Sequence, residues 1–246
     1  MIEKNIQNYL TTNNFQGFNL KAVYFDMDGV LFDSMRYHAE AWEKAMNESG
    51  LPFTCYDAYL NEGSTGTATI NSIFVKLNGR EASEEEKKDI YALKTKYFEE
   101  FGEPLRMPYA YEVLHKLKEK GLKVMVVTGS AQPLLIESLT THFPNIFTKQ
   151  DIISAFDVTH GKPHPEPYLK ALQKAGVQPW EAIVIENAPM GVQASSGAKI
   201  FTIGVNTGPL DPELLSNNGA NLVLDSMQEL YEKWDLLHVE KIYTKS

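Results

Sequence analysis

The chain has 246 residues, of which 43% are hydrophobic and 22% charged, and this composition excludes a disordered or fibrous protein. Its net charge of −9 disfavours nucleic acid or an anionic membrane as a partner, because the overall field repels phosphate polymers. The one cysteine, Cys55, has no second cysteine with which to form a disulfide bond, which is typical of a reducing compartment.

The first segment of the chain, residues 1–20, is rich in asparagine and lacks the cationic start and apolar stretch of a signal peptide. No run of apolar residues in the sequence approaches the length of a membrane span. We therefore expect a cytoplasmic protein in which residues 1–20 form an extension that is poorly ordered or draped over the surface. The sequence leaves the oligomeric state open, with a monomer favoured.

The first predicted strand is the apolar run at residues 22–25, whose composition is typical of a strand buried on both faces. Asp26 and Asp28 follow it, on the same side of an extended chain. Two carboxylates this close repel each other unless a cation lies between them. Mg²⁺ satisfies that need, since it typically takes one or two carboxylates and a substrate phosphate. Taken alone, D-x-D-G could equally be a polar turn.

A block of helices follows, with no convincing strand between residues 31 and 104. Apolar residues recur at helical spacing over 35–46 and 70–77. Ser83 and Glu86 are spaced as a capping box that opens a further helix. An all-helical block inserted after the first strand of an α/β protein is a cap domain.

After residue 108, helices and strands alternate along the chain. The predicted strands are 122–127, 152–153, 182–185, 200–205 and 222–224, and the predicted helices between them are 110–117, 133–139, 165–175 and 191–196, with one more at the C-terminal end. This alternation predicts an α/β fold, a doubly wound parallel sheet with right-handed crossovers and an inserted helical cap. The predicted domains are an N-terminal extension (1–20), a core (21–34 and 105–246) and a cap (35–104).

Polar side chains follow these strands at the edge where doubly wound sheets bind ligands. They are Asp26 and Asp28, Thr128 and Ser130, Glu186 and Asn187, and Lys162 in the loop after strand 152–153. Phosphoryl transfer needs a nucleophile, a metal ion and donors around the phosphoryl oxygens. This set supplies a nucleophile, ligands for the metal ion and donors.

Each residue type suits one task in that reaction. Asp26 is suited to be the nucleophile that forms an acyl phosphate, and Asp28 to protonate the leaving group and then deprotonate water. Thr128, with the backbone of Gly129 and Ser130 at the start of a helix, can donate hydrogen bonds to the phosphoryl group. Lys162 offers a fixed positive charge.

Each of these residues also has an ordinary structural interpretation. Residues 128–130 could be a helix N-cap, Lys162 a solvated surface lysine, and Glu186 with Asn187 turn residues. For all of these to hold together, four separate strand ends would have to carry such residues by coincidence. The catalytic interpretation is therefore the stronger one.

The longer string at residues 25–34, FDMDGVLFDS, resembles the signature of the haloacid dehalogenase (HAD) superfamily of phosphohydrolases. The remaining strand-end motifs match that superfamily in order, over about residues 21–234. The helical insert and the string YHAEAW at 37–42 are similar to the β-phosphoglucomutase-like subgroup, which has a helical cap.

The resemblance implies roles for particular residues. Asp26 is implied as the nucleophile, Asp28 as the acid and base, and Thr128 and Lys162 as the pair that binds phosphate. Mg²⁺ is implied as the cofactor, and its implied ligands are Asp26, the backbone carbonyl of Asp28, Glu186 and Asn187. His38 is implied to couple closure of the cap to Asp28, whereas Trp42 is expected to pack in the core of the cap.

Two departures from the family pattern bear on the reaction. The fourth motif usually ends in Asp, and Asn187 replaces it here, which removes one negative charge from the metal site. True β-phosphoglucomutases carry a cap arginine that grips a second phosphate, and Gly66 stands about where it would fall, with the acidic Glu62 nearby. A hydrolase needs only water rather than a retained bisphosphate, so hydrolysis is favoured.

The sequence thus predicts a Mg²⁺-dependent phosphohydrolase whose substrate is a small phosphorylated metabolite, either a sugar phosphate or inorganic pyrophosphate. The reaction would pass through an aspartyl-phosphate intermediate. Two alternatives stay open. One is a phosphohexomutase of the β-phosphoglucomutase type, and the other is a non-catalytic module that binds phosphate.

Overall fold

The protein is described here by a computed structural model that covers residues 2–130, 133–237 and 242–243. Its strands are β1 Gly17–Phe18, β2 Ala22–Phe25, β3 Lys123–Val127, β4 Ile152–Ile153, β5 Ala182–Glu186, β6 Phe201–Val205, β7 Leu222–Leu224 and β8 Ile242–Tyr243. Six of them form a parallel sheet in the order β4-β3-β2-β5-β6-β7. The order reverses on either side of β2, which is the mark of a doubly wound fold, as predicted.

The register of the central strands brings their carboxyl ends level with one another. Phe25 at the end of β2 lies opposite Val126 on β3 and Ile185 on β5. The polar residues that follow each strand therefore emerge at a single edge of the sheet. That alignment is what places the candidate site.

Helices cover both faces of the sheet, because its strands alternate apolar side chains between two cores. They are α6 Ala110–Glu119, α7 Pro133–His142, α8 Glu166–Ala175, α9 Pro189–Gly197, α10 Pro212–Asn217 and α11 Met227–Lys233. Val23 and Phe25 point into the core with α6 and α11, whereas Ala22 and Tyr24 point into the core with α8 and α9. The strands consequently show no alternation of polar and apolar residues, and the exceptions to their apolar composition include Lys123, Glu186 and Thr202.

The helical block is made of α2 Met35–Glu48, α3 Cys55–Leu60, α4 Gly66–Asn78 and α5 Glu84–Glu99, and no strand lies between residues 31 and 104, all of which are described. Its apolar side chains form their own cluster, with Trp42, Phe53 and Ile70 among them. The capping box of Ser83 and Glu86 opens α5 as predicted. The exact domain limits stay a prediction.

The two connections between core and cap run side by side. Asp33 N–H donates to Leu105 O over 2.9 Å, and Met107 N–H donates to Leu31 O over 2.8 Å. These bonds tie the chain that enters the cap to the chain that leaves it. A movement of the cap would therefore pivot on this paired crossing.

The N-terminal extension takes the second of its two predicted forms, because the described residues 2–20 are ordered and pack on the core. The prediction of poor order is wrong for these residues, although Met1 lies outside them. Helix α1, Ile2–Asn13, buries Ile6, Tyr9 and Leu10, which share one face at spacings of three and four residues. The Tyr9 hydroxyl donates to Pro179 O at 3.1 Å and to Lys199 O at 2.9 Å. The asparagine-rich composition concealed this short apolar stripe.

After α1, strand β1 pairs with β8 in an antiparallel ribbon separate from the main sheet. Among the described residues, no helix combines the length and the apolar composition needed to cross a bilayer.

Candidate active site

Lys162 lies at the centre of the strand-end residues and is almost completely buried. Its Nζ is 2.5 Å from Asp26 Oδ1, 2.6 Å from Glu186 Oε1 and 2.9 Å from Val127 O. Two carboxylates outweigh the cost of burial and raise the pKa of Lys162, so the lysine stays charged. The structure thus brings three of the predicted residues, from three different segments, into direct contact.

Glu186 contacts Lys162 and holds it in place. Its Oε1 accepts from Lys162 and also from the Tyr168 hydroxyl at 2.8 Å. Its Oε2 accepts the backbone N–H groups of Asn187 at 3.0 Å and Ala188 at 3.2 Å. Both oxygens are therefore engaged, and Glu186 could ligate a metal ion only by giving up one of these bonds.

Asp28 faces the cap side of the site. Its Oδ1 accepts from the Ser34 hydroxyl at 2.6 Å and contacts His38 Nε2 at 3.0 Å. Burial disfavours the charged carboxylate, but the bonds from His38 and Ser34 outweigh it and hold the pKa of Asp28 below its usual range. The predicted substrate-side residue His38 is thus bonded directly to the predicted acid and base.

Lys94 of α5 extends this chain and was not predicted. Its Nζ lies 2.7 Å from His38 Nδ1, and only 3% of the residue is exposed. Burial lowers the pKa of Lys94 to about 7. A sequence signal did exist, because Lys94 interrupts the apolar face of α5 between Ile90 and Phe98, at four-residue spacing from each.

The residues after β3 form one wall of the candidate site. Thr128 is buried, and its hydroxyl accepts from Ser130 N–H at 2.9 Å. A Cβ at Gly129 would lie 2.3 Å from Gly63 O of the cap, so this position must be glycine for the cap to approach so closely.

Glu62 extends from the cap and contacts Asn187 of the core. Its Oε1 accepts from Asn187 Nδ2 at 2.7 Å, and the residue is buried. Gly29, with φ of +79°, passes beneath this pair, and a Cβ there would lie 2.1 Å from Asn187 Nδ2. Burial and the nearby Asp26 raise the pKa of Glu62 well above its usual value.

Two observations show that these residues suit a divalent cation. Asn187 Oδ1 is buried and has no hydrogen-bond partner among the described residues. In addition, Asp26 and Glu186 both contact the single ammonium group of Lys162, so the carboxylates here outnumber the cation beside them. Carboxylate and amide oxygens are the ligands that Mg²⁺ prefers. The donor set therefore fits Mg²⁺.

A small cavity of about 70 Å³ lies between core and cap at this point. Its core side includes Asp26, Asp28 and residues 128–130, and its cap side includes His38, Trp42, Asn61, Glu62, Thr69, Tyr91 and Lys94. Trp42 belongs to the apolar cluster of the cap, as expected, and also borders the cavity.

Backbone contacts hold the cap against the core beside the cavity. Ser64 forms a parallel bridge with Lys162, and its hydroxyl donates to Lys162 O at 3.3 Å and to Met190 Sδ at 3.0 Å. Contacts from the cap therefore also hold Lys162, the residue that binds Asp26. The structure represents a state in which the cap is seated.

The sequence and structure are similar to those of known proteins. The family model of the haloacid dehalogenase-like hydrolases matches residues 23–205. A validoxylamine A 7'-phosphate phosphatase from Streptomyces hygroscopicus subsp. limoneus is 29% identical, over 85% of this chain and 95% of its own length. The β-phosphoglucomutase of Bacillus subtilis (strain 168) is 27% identical, over 87% of this chain and 97% of its own.

Among solved structures, a Bacteroides vulgatus protein named provisionally as a β-phosphoglucomutase is 51% identical, with a TM-score of 0.93 and 96% of each chain covered.

Proposed function

The chain belongs to the haloacid dehalogenase-like hydrolases, and from that premise and the geometry of its site we propose that it is a Mg²⁺-dependent phosphohydrolase that works through an aspartyl-phosphate. The observation that carries the proposal is the buried contact of 2.5 Å between Lys162 and Asp26 at the carboxyl edge of the sheet. The substrate is a small phosphorylated metabolite, with sugar phosphates and inorganic pyrophosphate as the two candidates.

Asp26 is the proposed nucleophile. Lys162 neutralises and orients one carboxylate oxygen, which leaves the other to attack phosphorus and form an acyl phosphate. Asp26 and Asn187 Oδ1, with the Asp28 backbone carbonyl, would hold Mg²⁺. When bound there, Mg²⁺ supplies positive charge against the phosphoryl oxygens. We reassign Glu186, whose oxygens are both engaged, to the positioning of Lys162.

Asp28 is the proposed acid and base. Ser34 and His38 occupy its Oδ1, so its other oxygen is left for proton transfer. Because the pKa of Asp28 is held low, the carboxylate has to take up a proton before it can protonate the leaving oxygen, after which it is again the base for the attacking water. Lys94 orients His38 from α5 in the cap. The chain of contacts therefore joins the position of the cap to the position of the acid.

Around the phosphoryl group, the proposed donors are the Thr128 hydroxyl and the backbone N–H of Gly129. Ser130 N–H donates to Thr128 Oγ1, and the three ammonium protons of Lys162 meet Asp26, Glu186 and Val127 O, so these two residues could donate to phosphate only by giving up one of those bonds. The seated cap brings the backbone of Gly63 and Ser64 against Gly129 of this wall. Closure would exclude bulk water and strengthen each of these contacts.

Two features of the cap support hydrolysis of a sugar phosphate over its isomerisation by a mutase. A Cβ at Gly66 would lie 2.2 Å from the ring of Tyr91, so this position has no room for a side chain that grips a second phosphate. Glu62 also lines the cap side of the cavity, and its side chain offers no positive charge that could pair with a second phosphate. The relatives include both a phosphatase and a mutase, so they do not decide between the two reactions.

The test is a phosphate-release assay with Mg²⁺ and a panel that contains hexose phosphates and inorganic pyrophosphate. We expect free phosphate from at least one member, none from the Asp26→Asn variant, and normal release from Asp33→Asn, which changes an exposed acid in the same motif. Turnover by Asp26→Asn at the wild-type rate would rule out the covalent mechanism.

The same assay separates hydrolase from mutase. A mutase would isomerise a hexose 1-phosphate in the presence of the bisphosphate and release little phosphate. If Glu62 excludes a second phosphate, Glu62→Ala should accept bisphosphates better than the wild type does. Failure of every phosphate in the panel would favour a binding module instead.

A further inference from the structure

A second cluster of ligand-type side chains lies on the outer side of the loop that carries Lys162. His160, His164 and Glu166 each offer one atom, and these atoms lie within 4.8 Å of one another. None of the three takes part in the proposed reaction. We propose that they form a binding site for a divalent late transition-metal ion, with Zn²⁺ as the representative, separate from the Mg²⁺ site.

The local backbone holds the cluster together. His164 N–H donates to Gly161 O at 3.0 Å and closes a turn, and the two imidazole rings stand 4.8 Å apart between centroids. Glu166 fastens the other end of the loop, where its carboxylate accepts the N–H groups of Thr159 at 2.9 Å and His160 at 2.8 Å. The two rings are therefore already gathered before any ion binds.

The hydrogen bonds leave one nitrogen lone pair of His160 for a metal ion. Glu166 Oε2 lies 3.1 Å from His160 Nδ1, and because a carboxylate oxygen accepts at this distance, Nδ1 is the nitrogen that carries the proton. The Nε2 of His160 is then the free lone pair, and a carboxylate behind a histidine is the usual support for a metal ligand.

The second ligand is His164. Its Nδ1 accepts the Glu166 N–H at 3.2 Å, which is long for such a bond, so the ring loses little when it turns to the ion. Both histidines are exposed. They face a cleft whose opposite wall is the start of α4, at Thr65 and Thr67, so water can complete the coordination.

The chemistry of this cluster differs from that of the catalytic site. Imidazole nitrogen suits Zn²⁺, Ni²⁺ and Cu²⁺, whereas Mg²⁺ prefers the oxygen ligands found around Asp26. An ion bound by both His160 and His164 would link the two sides of the loop around Lys162, which lies midway between them in the chain. The site would therefore stiffen the loop that positions the catalytic lysine.

The test is calorimetric titration of the full chain with Zn²⁺ in the presence of excess Mg²⁺, together with the visible spectrum of the Co²⁺-loaded protein. We expect one Zn²⁺ site that His164→Asn removes and that Glu166→Gln weakens about tenfold or more. The matched control is His115→Asn on α6, whose exposed histidine lies 3.5 Å from Glu119, and it should bind as the wild type does.

Two further measurements keep the result interpretable. Thermal unfolding of each variant shows whether it is folded. Asp26→Asn should retain the Zn²⁺ site, whatever becomes of catalysis, because the two sites share no ligand. Absence of Zn²⁺ binding to the wild type, or binding that His164→Asn leaves unchanged, would overturn the proposal.

Discussion

The core and the cap each bury one lysine at the candidate site, and the two lysines have opposite electrostatic surroundings. Lys162 in the core contacts two carboxylates, and its pKa is raised. Lys94 in the cap contacts His38, and burial lowers its pKa to about 7. Burial alone therefore does not fix the charge of a lysine; the number of carboxylates within bonding distance does.

Lys162→Met removes the buried charged lysine of the core and should have the largest effect on both activity and stability. Removal of one preorganised positive donor costs about 10²–10³-fold in kcat. The variant also leaves Asp26 and Glu186 buried without their cation, a loss on the order of 3–5 kcal/mol in the free energy of unfolding.

Chemical denaturation and phosphate release measure these two effects. Lys118→Met, at an exposed site on α6, is the control and should stay within about 0.5 kcal/mol of the wild type. A Lys162→Met protein as stable and active as the wild type would refute the assignment of this lysine.

Lys94→Met should have the opposite effect on stability. The fall in the pKa of Lys94 from 10.5 to about 7 corresponds to roughly 4 kcal/mol against the folded state at pH 7. Loss of the bond to His38 offsets part of this, so we expect a net gain of about 2 kcal/mol in the free energy of unfolding. Activity should fall, because His38 loses its support.

This trade-off is measured by denaturation and steady-state kinetics on the same preparation. Since Lys94 acts through His38, a shift in the pH profile of kcat should accompany the loss of activity. A variant that is less stable than the wild type at pH 7 would show that the contact with His38 outweighs the burial.

The pH dependence of stability gives a further test of the low pKa of Lys94. Between pH 7 and 10.5, folded Lys94 binds fewer protons than the unfolded chain does, so the wild type gains stability with rising pH relative to Lys94→Met. The stability advantage of the variant should shrink over this range and be fully present below pH 7. Denaturant midpoints of both proteins at several pH values measure the difference, and an advantage that does not change with pH would count against a buried neutral Lys94.

Asn187→Asp adds a carboxylate on the core side only and should have the smallest effect. We expect tighter Mg²⁺ binding, because the ion then meets one more negative charge. Without Mg²⁺ the variant lacks the N–H that Asn187 now donates to Glu62 at 2.7 Å and buries one more carboxyl group, so the apo variant should be less stable.

Thermal unfolding with EDTA and with increasing Mg²⁺ measures both effects, with Asn217→Asp on the exposed side of α10 as the control. An Asn187→Asp variant that binds Mg²⁺ no more tightly would contradict the assignment of Asn187 as a ligand.

The sequence predicted the parts of the site that follow buried strands, because an apolar run that ends in a charged residue is visible without a structure. Asp26, Thr128 and Glu186 all stand at such ends. Lys162 was reachable through its position after β4, although that strand is only two residues long.

Residues that act from helices were harder to predict. Lys94 and Tyr168 lie within helical apolar faces, and a single polar side chain in such a face shows its partner only after folding. The engagement of both Glu186 oxygens was hidden for the same reason, since Tyr168 supplies one of the donors. Helix α1 was missed because composition was weighed above spacing.

The antiparallel ribbon of β1 and β8 has a practical consequence. It lies beside the start of β5, where Asn19 N–H donates to Trp180 O at 3.0 Å, at the end of the sheet opposite Asp26. The ribbon therefore lies at the opposite end of the sheet from the residues around Asp26. A substitution that weakens the ribbon should lower stability locally and leave the geometry around Asp26 unchanged.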